Sequence, residues 1–169
     1  MGLEPTGIEP SQSLYKNSRS KRVLNYNLLA YLKFEKRKKY DFVVLSHVIE
    51  HVRNPRQLVQ QLTTLLTPSG VLYIETPNQD SLLFQFEKYN YTFLTPPEHI
   101  WILSKFSFSY ILPKDVLILK KSTYSYPEHF MGIIKSLFNK TAPKKIKPPS
   151  TLAYTQIFVF DYFLAHFFY

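Results

Sequence analysis

Residues 40–78, YDFVVLSHVIEHVRNPRQLVQQLTTLLTPSGVLYIETPN, read as a strand, a short helix, a long helix and a second strand, and that order constrains the chain more than anything else in it. Phe42-Val43-Val44-Leu45 is a continuous apolar run, the pattern of a strand covered on both faces in a parallel sheet. Asn54 before Pro55 marks a helix start, with a capping side chain followed by a proline whose missing N–H costs nothing in the first turn. Leu58, Val59, Leu62, Leu65 and Leu66 then recur at three- and four-residue spacing, so one face of that helix is apolar. Pro68-Ser69-Gly70 is expected to stop it, and residues 71–76 form the next strand. A strand, helix, strand series of this length predicts a right-handed parallel crossover. The sheet is therefore expected to be parallel and helix-covered.

The flanking segments extend the same theme. Residues 6–9 predict a brief strand, and Ser11 or Ser13 can cap a helix over 14–22. Residues 23–29 suggest another strand, followed by the polar turn Glu35-Lys36-Arg37-Lys38-Lys39. Beyond residue 80 the chain is rich in aromatics, with Pro96-Pro97-Glu98-His99-Ile100-Trp101 as an ordered loop, a short helix over 106–112 and a strand over 115–124. A Pro/Lys-rich linker at 141–150 leads to the apolar stretch 157–169, which predicts a core-packing helix. That stretch is interrupted by Asp161 and His166 and is shorter than the ~20 residues a spanning helix needs, so membrane contact is expected to be interfacial at most.

Composition narrows the class. With 169 residues, 45% of them hydrophobic, the chain is long enough for one domain with a real core. It has no cysteine, which removes disulfides and thiolate metal sites and favours a reducing, cytoplasmic setting. The start MGLEPTGIEPSQS lacks the basic and apolar regions of a secretory signal. The net charge of +9 is dispersed over three stretches of lysine and arginine with no nucleic-acid module beside them, which is the pattern of solvated loops.

In an open parallel sheet, ligands sit beyond the carboxyl ends of the strands. That rule nominates Glu9, Asn27, Ser46 with His47, and Pro77 with Asn78. His47-Val48-Ile49-Glu50-His51 also matches H-x-x-E-H, in which two histidines on one helical face bind zinc and the glutamate activates water. Here Asn54-Pro55 cuts the segment to about one turn, and no third ligand is clearly indicated beyond residues such as Glu128. No metal site is expected, and zinc hydrolysis is a minor alternative.

Gly7-Ile8-Glu9-Pro10-Ser11, Glu50-His51 after the buried strand and Glu75-Thr76-Pro77-Asn78 after the next one together resemble a class I S-adenosylmethionine (SAM)-dependent methyltransferase. The resemblance implies that Glu9 holds the cofactor ribose, that Asn27 faces the adenine amino group, and that Ser46 and His47 line the methionine part through their backbone. It also offers His99, which lies before Phe106-Ser107, as the group that takes a proton from an acceptor hydroxyl. The implied function is SAM-dependent methylation, by default O-methylation, of a small molecule or glycan precursor.

Gly2, Gly7, Gly70 and Gly132 are scattered, so no Gly-rich cofactor loop is present. The expected fold is thus a partial Rossmann-like α/β methyltransferase, a mostly parallel sheet lacking the first strand with its Gly-rich loop and the last strand. Residues 1–125 form the partial domain, and 126–169 supply the linker and a C-terminal apolar helix of the same domain. Such a sheet leaves edges unpaired along 6–9 and 42–46, which predicts association, a complementary protein fragment, or direct pairing of those two strands. Cofactor binding by the chain alone is expected to be weak or absent. The second functional class is a non-catalytic remnant or interaction subunit that another chain completes.

Overall fold

Two parallel strand pairs form the frame, and an antiparallel strand joins them. The computed structural model describes residues 4–91, 93–123 and 156–160, the last as backbone. Its strands are β1 (Pro5–Ile8), β2 (Val23–Leu24), β3 (Tyr40–Ser46), β4 (Leu66–Glu75) and β5 (Gln156–Phe160), in the sheet order β2-β1-β5-β3-β4. β1 runs parallel to β2 and β3 parallel to β4, whereas β5 is antiparallel to both β1 and β3. The helices are α1 (Gln12–Asn17), α2 (Leu28–Phe34), α3 (Pro55–Thr63), α4 (Leu82–Glu87) and α5 (Ser107–Ile111).

The central crossover forms where the sequence places it. Asn54 Oδ1 accepts the Gln57 N–H at 3.0 Å, and Pro55 opens α3. Leu58, Val59 and Leu62 on α3 pack with Val43 and Leu45 of β3 into the core, which also includes Ile8, Tyr31, Tyr40 and Ile49. The hydroxyls of Tyr31 and Tyr40 hydrogen-bond to each other inside it. Burial on this scale, at ~1.5–3 kcal/mol per large apolar side chain, is what holds the helix to the sheet.

Local boundaries depart from the sequence reading for identifiable reasons. Pro68-Ser69-Gly70 does not end the helix, which stops earlier; it lies inside β4, where the pairing slips from Tyr40↔Leu66 to Phe42↔Val71. A Cβ on Gly70 would stand 2.9 Å from the Tyr40 carbonyl oxygen, so only glycine allows the backbones to approach there. The helix expected over 14–22 is limited to Gln12–Asn17, because Ser18 and Ser20 turn their hydroxyls onto the backbone N–H groups of Ser20 and Arg22. The strand expected over 23–29 is Val23–Leu24 alone, since Asn27 caps α2. The apolar run 116–119, expected as a strand, pairs with no strand among the described residues; Leu117 and Leu119 are exposed, flanked by Lys114-Asp115 and Lys120-Lys121.

The largest correction is at the C-terminal end of the sequence. Where a helix was expected over 157–169, Gln156–Phe160 is a strand, and it lies between β1 and β3. Thr6 pairs with Val159 on one side and Val43 pairs with Val159 on the other. The physical reason is backbone satisfaction: the inner flanks of β1 and β3 carry donors and acceptors that a helix cannot meet. Those flanks are therefore neither unpaired nor joined directly, as the sequence reading proposed. The expected linker at 141–150 and residues 161–169 lie outside the described residues.

Phe158 pairs with Gly7 and Val44 at the middle of this inserted strand. Phe158→Pro removes its N–H and breaks the ladder, which should lower stability by about 3 kcal/mol and promote association. Thermal denaturation followed by light scattering measures both. An unchanged melting temperature would contradict the placement of β5.

Candidate functional site

The carboxyl end of β3 leads into a polar cluster built by a short, sharp turn. His47 takes the left-handed conformation, φ 50°, at the first position after the strand, a conformation that a non-glycine residue holds only when its surroundings enforce it. Its N–H donates to the Glu75 carbonyl at 2.9 Å, tying the turn to the end of β4. Residues Ile49–His51 then form one 3₁₀ turn before Asn54 opens α3.

Glu50 is the centre of this arrangement. It is 0% exposed, and its two carboxylate oxygens accept from His47 Nδ1 at 3.1 Å and from Thr76 Oγ1 at 3.2 Å. Its backbone carbonyl accepts from the N–H groups of Ile100 at 2.8 Å and Trp101 at 3.1 Å, which fastens the 96–101 loop over the turn. Glu75 completes the cluster: Ser46 Oγ donates to Oε2 at 3.0 Å, and His47 Nε2 lies 3.5 Å from Oε1. The hydrogen bond to Glu50 pushes the His47 pKa up despite its burial, with the Glu50 and Glu75 charges adding in the same direction.

The loop histidine is held differently. His99 donates through Nδ1 to the Phe93 carbonyl, and its ring meets that of His51 edge to face, with centroids 4.6 Å apart. Burial pushes its pKa down, so the neutral ring is favoured near neutral pH. His51 donates through Nδ1 to the Glu98 carbonyl at 2.8 Å, while its Nε2 is buried without a hydrogen-bond partner among the described residues. Trp101 lies against the turn and donates through Nε1 to the Val52 carbonyl at 2.9 Å.

The residues nominated from the sequence thus fall into separate places. Glu9 follows β1 and is 1% exposed; Oε1 accepts the Ser11 N–H at 2.8 Å, and Asn25 Nδ2 donates to the Glu9 carbonyl at 2.7 Å. Asn27 directs Oδ1 to the Ala30 N–H at 2.8 Å and caps α2, so the oxygen assigned to adenine is used within the fold. Ser46 and His47 share one cluster at the end of β3, while Glu9 lies across β5 from them in the sheet order. His99 joins the cluster through His51. That Glu50 with His51 pins the turn after β3 is what the resemblance implied, whereas the part played by Glu75 was missed. The signal for Glu75 was position, since it ends β4 and pairs with Ser46 at the carboxyl end of β3.

A separate concavity of about 340 Å3 opens beside Pro5, Arg22, Tyr31 and Phe34, at the opposite end of β1 from Glu9. It lies away from the polar cluster, and the strand-end rule favours the cluster as the functional locus.

A family model described as "Methyltransferase domain" matches residues 2–114. Among curated proteins, "Probable polyketide synthase 8/35" of Dictyostelium discoideum is 44% identical over 55 residues, which is 30% of this chain and 2% of the synthase. "Probable polyketide synthase 9/36" of the same organism is 42% identical over 55 residues, again 30% of this chain and 2% of that protein. "Probable polyketide synthase 7", also of Dictyostelium discoideum, is 43% identical over 44 residues, 26% of this chain and 2% of its own length. The chain therefore spans only a small part of the curated relatives it matches. No solved structure matches significantly.

Removing the Glu50 carboxylate strands the groups it satisfies, His47 and the Thr76 hydroxyl, inside the turn. Glu50→Ala should destabilise the chain by about 3 kcal/mol, the scale for breaking a buried pair from one side. Urea denaturation measures this, and an unchanged midpoint would mean that the cluster does not brace the fold.

Proposed function

The chain belongs to the methyltransferase-domain family, and from that premise we propose that it acts in methyl transfer from SAM to a small organic acceptor, by default at an oxygen. One observation carries the reading: Glu9 after β1 and Ser46-His47 after β3 stand at the carboxyl ends of strands that flank one central position of the sheet. That is where a doubly wound fold collects its ligand. The likeness of a short stretch to proteins named as polyketide synthases agrees with a small-molecule acceptor.

The residues present fit only part of the cofactor. A carboxylate such as Glu9 suits the two ribose hydroxyls, because it accepts from both. Yet Glu9 is 1% exposed and already holds the Ser11 N–H. The sequence contains no Gly-rich loop, and the position between β1 and β3 is taken by antiparallel β5. We therefore assign no catalytic step within this chain. A complete site requires a Gly-rich segment in the place that β5 occupies, and a complementary protein fragment is the partner of that chemistry.

A second reading has its own support. Because β5 fills the position between β1 and β3 from within the chain, the protein can persist as a non-catalytic, methyltransferase-like remnant. Cofactor binding separates the two. Calorimetric titration with SAM should give a dissociation constant weaker than ~0.1 mM, and Glu9→Ala should weaken it further by about 1–3 kcal/mol, roughly 5- to 150-fold. Low-micromolar affinity would overturn the incomplete-site account. Absence of binding at millimolar SAM would favour the non-catalytic reading, and an affinity indifferent to Glu9→Ala would remove Glu9 from the site.

A further inference from the structure

We propose that Glu50, His51 and His99 form a site for one divalent transition-metal ion, of which zinc best suits the donor set. One ligand atom from each of the three lies within 4.8 Å of the other two. Tetrahedral ligands on an ion at ~2.1 Å stand roughly 3.4 Å apart, so a small inward rotation of the side chains closes the set.

The hydrogen bonds define which atoms bind. A carbonyl oxygen can only accept, so the contacts of His51 Nδ1 with Glu98 and of His99 Nδ1 with Phe93 make both rings Nδ1–H tautomers. Each Nε2 then carries a lone pair. This is the arrangement in which metal-binding histidines are held, the far ring N–H donated to a backbone carbonyl that fixes tautomer and orientation. The Nε2 of His51 is buried and has no hydrogen-bond partner among the described residues, an arrangement that is unfavourable unless something occupies the lone pair.

Glu50 supplies the anionic ligand. Its oxygens accept from His47 and Thr76, and each oxygen retains a second lone pair for an ion. The frame is assembled in advance, because the Glu50 carbonyl receives the N–H groups of Ile100 and Trp101 and so fastens the segment bearing His99 to the turn bearing His51. Two imidazoles and a carboxylate select zinc and its neighbours over magnesium or calcium, which prefer all-oxygen sites. Three protein ligands leave a coordination position for water or a small-molecule oxygen, as in zinc sites that polarise oxygen.

The set differs from the one that the H-x-x-E-H spacing suggested. His47 faces the carboxylates of Glu50 and Glu75, and His99 from a distant loop takes the place beside His51. The expectation of no metal rested on the shortened turn and the missing third ligand, and the fold brings a third ligand in from a distant loop, His51 and His99 being separated by 47 residues of intervening sequence.

The test uses the full chain, purified without an affinity tag, stripped with chelator and titrated with zinc chloride. One zinc per chain at micromolar affinity or tighter is expected, with a raised melting temperature, and cobalt in its place should give the visible absorption of a four-coordinate site. His99→Gln should weaken zinc binding by at least about 10-fold with an unchanged circular dichroism spectrum. His129→Gln and His166→Gln should leave it unaltered. Binding weaker than about 1 mM, binding that survives both His51→Gln and His99→Gln, or binding lost instead on His129→Gln would overturn the site. None of these readouts depends on SAM or on methyl transfer.

Discussion

The fold depends on what stands between β1 and β3. Each belongs to a parallel pair, β1 with β2 and β3 with β4, and each pair leaves a row of backbone donors and acceptors facing the other. Gln156–Phe160 meets both rows at once, antiparallel to each, and turns two small pairs into one five-stranded sheet. Orphaned backbone groups inside a sheet are costly enough that a strand is the only element able to relieve them. The helices, the core and the turn after β3 all rest on that continuity.

The polar cluster depends on the same sheet. His47 can hold its left-handed backbone because its N–H is tied to Glu75, which the parallel register of β3 and β4 sets opposite Ser46, and its ring to Glu50 in the 3₁₀ turn that follows. Glu50 in turn secures the 96–101 loop through its carbonyl. A single buried residue thus couples the sheet, the turn and the loop, the first two through its carboxylate and the loop through its backbone carbonyl. The same geometry gathers two imidazoles beside it, so structural bracing and metal binding are two consequences of one arrangement.

The parts legible in the sequence were those with local causes. Phe42-Val43-Val44-Leu45, the Asn54-Pro55 helix start and the apolar face of α3 announce the crossover because propensity, capping and periodicity agree there. Ser11 was readable as a cap for the same reason, whereas Asn27, which caps α2, was assigned to a ligand. What remained illegible depended on tertiary context. A short apolar run such as Ile157-Phe158-Val159-Phe160 fits a buried strand or a helix equally by periodicity, and only its β-branched and aromatic content favoured the strand. The unpaired flanks of β1 and β3 were foreseen, but the segment that covers them lies more than 100 residues away in sequence from either. The pairing of His51 with His99 was hidden for the same reason, since no spacing rule reaches across a loop held by a backbone carbonyl.

Hydrogen–deuterium exchange, resolved to single amides, tests the central claim directly, because it reports backbone pairing strand by strand. If residues 156–160 complete the sheet, their amides should exchange slowly and together with those of 43–45 in β3, through the same cooperative opening. Amides of 156–160 that exchange at unprotected rates while 43–45 remain slow would show that the space between β1 and β3 is not filled from within this chain.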